Sequence, residues 1–392
     1  MKKQSADKKF AFVLDIGTTG IKAFVFDSDL SVLGRVYKPL RKSFPHKGYV
    51  EQNPQELLSV SKEALQEVRQ ICNVPERAFT GFGLTNQRET TILWDKTTGK
   101  PAYPAIVWED ERTARECRKW RKEFGETARK KTGLPITPYF SASKIWWLLK
   151  NNRRVEELLE QKNLLFGTVD TWILWNLIEG NPHLTDYTNA SRTLLFNIRT
   201  LEWDDELLNI FGIPRAILPE VRPSQENFGN LKKDILGFPL PVRAVAGDQQ
   251  ASIYAAGTGR GTTKATFGTG TFVVQNIGSR FSLADGFFTT LTADKHQPNY
   301  SLEAKVEFYG RTIQDALSDG KPLAKLLKKL AKLVDERLRH LPVKPKSLVI
   351  DGGVTRAKEL APILNETSGI PIRTQKIFDG TALGIAKMLL GG

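Results

Sequence analysis

Phe10-Ala11-Phe12-Val13-Leu14-Asp15-Ile16-Gly17-Thr18-Thr19-Gly20, followed at once by Ile21-Lys22-Ala23-Phe24-Val25-Phe26-Asp27, is the stretch on which the fold of this chain turns. Two runs rich in β-branched and aromatic residues, joined by a few Gly and Thr, predict a hairpin with a tight turn. Such a turn offers closely spaced backbone N–H groups, the hydroxyls of Thr18 and Thr19 and a following cation at Lys22, a concavity suited to phosphate oxygens. Asp15, at the end of the first strand, can hold a magnesium ion through water beside them. A plain hairpin with one exposed acid has the same local pattern, so the rest of the chain must decide between the two.

Outward from the hairpin, Leu30 to Tyr37 offers a third strand, and Asn53-Pro54 opens an amphipathic helix carrying Leu57, Leu58, Val60, Leu65 and Val68. Phe79 to Thr85 reads as a buried strand that runs into Asn86-Gln87-Arg88-Glu89-Thr90-Thr91. Thr91–Trp94 and Ala102–Trp108 are expected to form a second hairpin, and Asp110 to Lys122 a charged helix. Trp172 and Trp175, at helical spacing, are expected in the core. The segment from Leu184 to Ile198, polar and then apolar, reads as a loop feeding a packed edge. Pro219 to Pro241, rich in Pro and Gly and without a period, is the candidate linker. Beyond it the outline returns: a strand from Val242 to Ala246, a helix from Asp248, and a hairpin around Phe267-Gly268-Thr269-Gly270. A helix near Gly310 to Leu317, a Leu/Lys helix from Leu323 to Leu341 and a strand breaking at Asp351-Gly352-Gly353 follow. Two halves, each with a Gly/Thr hairpin, predict a duplicated α/β fold with a ligand cleft between the halves.

The bulk composition fits this. A chain of 392 residues, 40% hydrophobic and 26% charged, is an ordinary soluble protein long enough for two domains. The net charge of +14 is dispersed over the Met1–Lys9 tail, Arg118–Lys131 and Lys321–Lys346, usually with acids or Leu interleaved. That is the pattern of solvated helix faces rather than of a nucleic-acid surface. Two cysteines and four scattered histidines give no metal spacing and no disulfide framework. No apolar stretch approaches membrane length, so a cytoplasmic protein, neither exported nor anchored, is expected.

With these pieces together the chain resembles the glycerol-kinase branch of the FGGY carbohydrate kinase family. The resemblance is carried by Asp15-Ile-Gly-Thr-Thr19, Gly83-Leu-Thr-Asn-Gln-Arg-Glu-Thr-Thr91, Ala105-Ile-Val-Trp108, Thr132-Gly-Leu134 with Pro138-Tyr-Phe-Ser141, and Leu165-Phe-Gly-Thr-Val-Asp-Thr-Trp172. Thr185-Asp-Tyr-Thr-Asn-Ala-Ser-Arg-Thr193, Ala246-Gly-Asp-Gln-Gln-Ala251 and Gly268-Thr-Gly-Thr-Phe272 continue it. It implies two RNase H-like domains of the actin/Hsp70/sugar-kinase type, at 8–245 and 246–392, the second shortened. It further implies ATP-dependent phosphorylation of glycerol to sn-glycerol 3-phosphate, the alternatives being a sibling sugar kinase for xylulose, ribulose or gluconate, or a non-catalytic polyol binder.

Residue by residue, the resemblance implies Arg88 and Glu89 as the pair that binds the polyol, a guanidinium donating to hydroxyls and a carboxylate accepting from them. Tyr139 and Gln249 match further hydrogen-bonding positions, Trp108 and Phe272 the aromatic residues that pack on carbon. Asp248 matches the catalytic base. Thr18, Thr19, Gly20 and Lys22 match a first phosphate loop, and Gly268, Thr269 and Gly270 a second. Gly310, Gln314, Gly352 and Gly353 match an adenosine pocket. ATP and Mg2+ are implied, the ion at Asp15 and Asp248, with no nucleic acid, no membrane insertion and a homo-oligomer as an option. Between Gln314 and Asp351 the chain is shorter than the family pattern, on the ATP side.

Overall fold

The computed structural model describes residues 8–267, 270–295, 297–306, 313, 323–375 and 379–391. The chain forms two compact units, Met1–Asp248 with Ile385–Gly392, and Gln249–Gly384.

The first unit is built on the opening hairpin. Strands β1 (Phe10–Ile16) and β2 (Gly20–Asp27) pair antiparallel, with Asp15 facing Lys22 and Ile16 facing Ile21. The Gly17 N–H closes the turn on the Gly20 carbonyl at 3.0 Å. Strand β3 (Val32–Pro39) follows antiparallel to β2, while Phe79–Asn86 and then Val242–Gly247 add parallel strands on the other side of β1. β1 is thereby central and covered on both faces, which is why Ala11 to Ile16 are all buried and read as a nearly continuous apolar run. Helix α1 (Pro54–Ile71) packs on this sheet with Leu57, Ala64, Leu65 and Val68. Its start was legible because the Asn53 side chain caps it, accepting from the Gln55 N–H at 2.9 Å, with Pro54 in the first turn.

The second unit repeats this arrangement with one more antiparallel strand at its edge. The antiparallel pair Thr263–Phe267 and Thr271–Gly278 is extended by Tyr300–Val306 and Phe288–Leu291, and parallel strands Leu348–Asp351 and Ile372–Thr374 lie on the far side of Thr263–Phe267. The Leu/Lys helix runs from Ala324 to Arg339 and buries Leu327, Leu330, Val334 and Leu338. The helix expected near Gly310 to Leu317 lies outside the described residues except for Ile313.

Two expectations are corrected. Ile92–Asp95 forms its ladder with Leu164–Gly167, and Ala105–Ile106 forms its ladder with Glu51–Gln52. The arms of the expected second hairpin meet only through the bridges Trp94–Pro101 and Thr91–Ile106. Pro104 removes a donor that a continuous ladder would need. The segment Pro219–Pro241 is not a linker. It contributes Phe228, Leu231, Ile235, Leu236, Phe238 and Leu240 to the core of the first unit, its lack of period reflecting short strand, turn and helix pieces rather than solvation.

Candidate functional site

In the first unit the predicted residues converge. Gln87 extends the Phe79–Asn86 strand, its N–H donating to the Ile16 carbonyl at 2.7 Å, and the chain then turns through Arg88 and Glu89. Glu89 has φ +61°, a left-handed conformation uncommon for a non-glycine residue. Such backbone is held only where the surroundings dictate it. Here they do: the Glu89 carbonyl accepts from Ser141 Oγ at 3.1 Å and Thr91 Oγ1 at 3.2 Å.

Arg88 is buried, and its Nε lies 2.9 Å from Asp248 Oδ1. Asp248 ends the first unit, directly after the Val242–Gly247 strand and at the start of the helix Asp248–Ala256. Glu89 pairs instead with Arg192, whose Nε is 2.5 Å from Glu89 Oε1 with both side chains fully buried. The Arg192 guanidinium stands 5.5 Å from the Tyr139 ring centre and 5.1 Å from that of Phe140. Trp108 meets Tyr139 edge to face at 5.5 Å, a favourable arrangement for two aromatic rings.

Hydrogen bonds tie this group to the first turn. Trp108 Nε1 donates to Thr18 Oγ1 at 2.9 Å, and the Trp108 N–H to Thr90 Oγ1 at 3.3 Å. Thr90 Oγ1 donates to Gln87 Oε1, Gln87 Nε2 to Gln52 Oε1 at 2.8 Å, and Gln52 Nε2 to the Thr18 carbonyl at 2.9 Å. The circuit therefore begins and ends on Thr18. Beside it Lys22 Nζ stands 3.5 Å from Asp15 Oδ2, Asp15 being buried and Thr19 exposed. Networks of this kind hold their members in one geometry.

The sequence did not reveal three further buried charged residues of the first unit. Arg192 carries no local signal of pairing with Glu89. Lys144 is fully buried, its Nζ donating to the carbonyls of Pro138 at 2.7 Å and Tyr139 at 2.8 Å. Burial pushes that ammonium down to about 8. Asp170 is also buried, accepting from Thr168 Oγ1 at 2.5 Å and Thr185 Oγ1 at 2.6 Å. Burial, with the nearby Asp186 carboxylate, raises Asp170 from 3.8 to about 7.

The Asp170 shift has a fixed sign in stability. The folded chain keeps a proton that the unfolded chain loses, so the stability Asp170 contributes is full below pH 3.8 and is lost as pH rises to about 7. Asp170→Asn is expected to gain on the wild type by about 1.4 kcal/mol per pH unit across that window. Denaturant midpoints of both proteins at several pH values test this; parallel curves would show that Asp170 does not titrate there. His183, lowered to about 4 by burial, acts in the opposite direction, but equally in both proteins.

In the second unit, Gln249 is buried next to Asp248 in sequence, Gly270 and the half-buried Phe272 lie at the Thr271–Gly278 end of its hairpin, and Gly352 and Gly353 follow the Leu348–Asp351 strand. Gly268, Thr269, Gly310 and Gln314 lie outside the described residues. Gly352 has φ +96°, and a Cβ there would lie 2.6 Å from the Phe267 carbonyl carbon. This is the close approach for which glycine is needed. Gly352→Ala is expected to cost roughly 2 kcal/mol or more through strain and overlap, read as a lower thermal midpoint; an unchanged midpoint would show that the turn relaxes freely. Below that turn, Lys264 Nζ is 2.5 Å from Asp351 Oδ2, a buried pair joining two neighbouring strands.

Among the described residues no group of three or more His, Cys, Asp or Glu side chains could hold a metal, and no helix is long and apolar enough to cross a membrane. Both cysteines are buried free thiols.

A glycerol kinase of Dichelobacter nodosus is 44% identical over 310 residues, which are 78% of this chain and 62% of that protein. The chain thus spans less than two thirds of the length of that relative. A glycerol kinase of Trichodesmium erythraeum is 37% identical across 96% of this chain and 82% of its own length. Among solved structures, a glycerol kinase of Plasmodium falciparum with ADP superimposes with a TM-score of 0.88 at 27% identity, covering 97% of this chain and 89% of that one. The fold is accordingly the two-domain α/β fold of the actin/Hsp70/sugar-kinase type. The model of the FGGY carbohydrate kinase N-terminal domain matches residues 10–255. The chain belongs to the FGGY family of carbohydrate kinases.

Proposed function

We propose that this protein is an ATP-dependent kinase that transfers the γ-phosphoryl group to a terminal hydroxyl of glycerol, giving sn-glycerol 3-phosphate. The observation that carries this reading is the pair of ion pairs on neighbouring residues, Arg88 with Asp248 at 2.9 Å and Glu89 with Arg192 at 2.5 Å, beside Trp108 and Tyr139. A small polyol needs donors, acceptors and an apolar wall, and these residues supply all three.

The two carboxylates have different surroundings and so different roles. The Glu89 side chain is 2% exposed and held by Arg192, so it accepts a hydroxyl hydrogen bond without moving. The Asp248 side chain is 31% exposed, and is the more open of the two carboxylates. In this reading it takes the hydroxyl proton as the oxygen attacks phosphorus, while Arg88 keeps the carboxylate oriented. Tyr139 adds a hydrogen bond, Gln249 another, and Trp108 and Phe272 pack on the carbon chain. Thr18, Thr19, Gly20 and Lys22 receive phosphate oxygens at one loop, Gly268, Thr269 and Gly270 at the other. Gly310, Gln314, Gly352 and Gly353 admit the nucleoside.

Asp15 and Asp248 would hold Mg2+. Carboxylate oxygens are its preferred donors, and one or two of them with phosphates and water complete its shell, so the absence of a larger acidic cluster among the described residues fits. The ion would neutralise charge on the transferred group. We further read the two domains as 8–245 and 246–392, the second carrying the nucleotide, and the protein as cytoplasmic, where Cys72 and Cys117 stay reduced.

A coupled assay of ADP release with glycerol, xylulose, ribulose and gluconate tests the proposal. Glycerol is expected to be turned over fastest. Faster turnover of another substrate would reassign the protein to a sibling kinase, and glycerol binding with no ADP release would make it a binding protein.

A further inference from the structure

We propose that Thr188, held by the buried carboxylate of Asp186, is a positioning residue that fixes where Asp248 stands. The inference rests on the reading of Asp248 as the base. Its source is the polar stretch Thr185–Thr193, the first part of the segment from Leu184 to Ile198 that the sequence suggests is a loop feeding a packed edge. In the structure Thr185, Asp186, Thr188, Asn189, Ser191 and Arg192 are all buried.

Asp186 has no cation beside it in the described contacts and is satisfied by five hydrogen bonds. Oδ1 accepts from the Asn189 N–H at 3.0 Å and from Asn189 Nδ2 at 2.8 Å. Oδ2 accepts from the Thr188 N–H at 2.9 Å, Thr188 Oγ1 at 2.6 Å and Ser224 Oγ at 2.6 Å. A hydroxyl has one proton. Because Thr188 gives its proton to Asp186, its lone pairs are left to accept, and the Gly247 N–H donates to Thr188 Oγ1 at 2.8 Å.

Gly247 is the last residue of its strand and the one before Asp248. On the other side of Asp186, Asn189 and Asn86 exchange amide hydrogen bonds at 3.0 and 3.2 Å. Asn86 ends the strand that leads to Arg88, and Gly247 and Asn86 are partners in the parallel register. One carboxylate thus anchors the ends of two adjacent strands, each of which delivers one member of the Arg88–Asp248 pair. Buried networks of this kind are rigid when every member is satisfied, and misplacing a reacting group by about 1 Å costs on the order of 10²-fold in rate.

The test uses the full-length protein with Thr188→Val, which keeps the shape and removes the hydroxyl, and Thr188→Ser, which restores it. For Thr188→Val, kcat is expected to fall at least about tenfold with the glycerol KM changed less than about threefold, and Thr188→Ser is expected to recover most of kcat. Hydrogen exchange of the Gly247 amide, followed by NMR, should be at least about tenfold faster in Thr188→Val and return in Thr188→Ser. A Thr188→Val enzyme with kcat within about twofold of an active wild type overturns the proposal, as does unchanged protection of Gly247. A wild type without glycerol-dependent ADP release sinks the kinase reading instead, and the exchange result alone then decides the anchor. Should Thr188→Val fail to fold, Ser224→Ala removes one of the five donors to Asp186. It is expected to lower kcat about threefold at constant KM, and no change in kcat overturns the proposal.

Discussion

Asp248→Asn is expected to reduce glycerol-dependent ADP release by about 10²- to 10⁴-fold, the range that a positioned general base contributes. The asparagine has the same shape and keeps an oxygen for Arg88 Nε, which lies 2.9 Å from Asp248 Oδ1, so the arrangement around Glu89 and Tyr139 should survive. Glycerol binding measured by calorimetry is therefore expected to remain. Near-full turnover by the variant would remove Asp248 from its role, whereas loss of binding together with turnover would make it a substrate ligand rather than a base.

Arg192→Met is expected to have the largest effect on stability. Arg192 and Glu89 are both fully buried and paired at 2.5 Å. Removing only the cation strands a carboxylate in the interior, at a cost of about 3–5 kcal/mol. The Tyr139 and Phe140 rings also lose the guanidinium that stands 5.5 and 5.1 Å from their centres. Adding Glu89→Gln removes the stranded charge, so the double variant should recover much of the loss while still binding glycerol poorly. Denaturant unfolding of the two single variants and the double variant gives the coupling. Strictly additive costs would show that the two groups do not act as a pair.

Much of this organisation could be read from local pattern. The β1–β2 hairpin shows itself by composition, the Asn53-Pro54 start by capping chemistry, and the second Gly/Thr hairpin by repetition of the first. What could not be read was long-range pairing. Nothing near Ile92–Asp95 announces Leu164–Gly167 as its partner, because a strand's neighbour is chosen by the whole sheet. The Pro219–Pro241 segment misleads for a related reason: its apolar residues are too irregularly spaced to mark an element, yet Phe228, Leu231, Ile235, Leu236, Phe238 and Leu240 find places in the core.

The candidate site divides the same way. Arg88, Glu89, Trp108, Tyr139 and Asp248 were legible from motifs, and in the first unit they are linked through the ion pairs and ring contacts described. Asp186, Thr188 and Arg192 were not, since polar residues that satisfy one another in the interior have the same composition as a solvated loop. Only their partners distinguish the two, and partners more than a hundred positions apart, such as Glu89 and Arg192, leave no local trace.

The last helix, Gly380–Leu390, carries a consequence for biosynthesis. Ile385 and Leu389 pack where Gly83 has no side chain, a Cβ on Gly83 lying 3.1 Å from Leu389 Cδ1, and Gly83 belongs to the same unit as these late residues. While the ribosome is still translating the intervening Gln249–Gly384 stretch, the nascent first unit has this part of its sheet uncovered. It can reach its final packing only after the late residues emerge, so this stretch of apolar surface stays open until then.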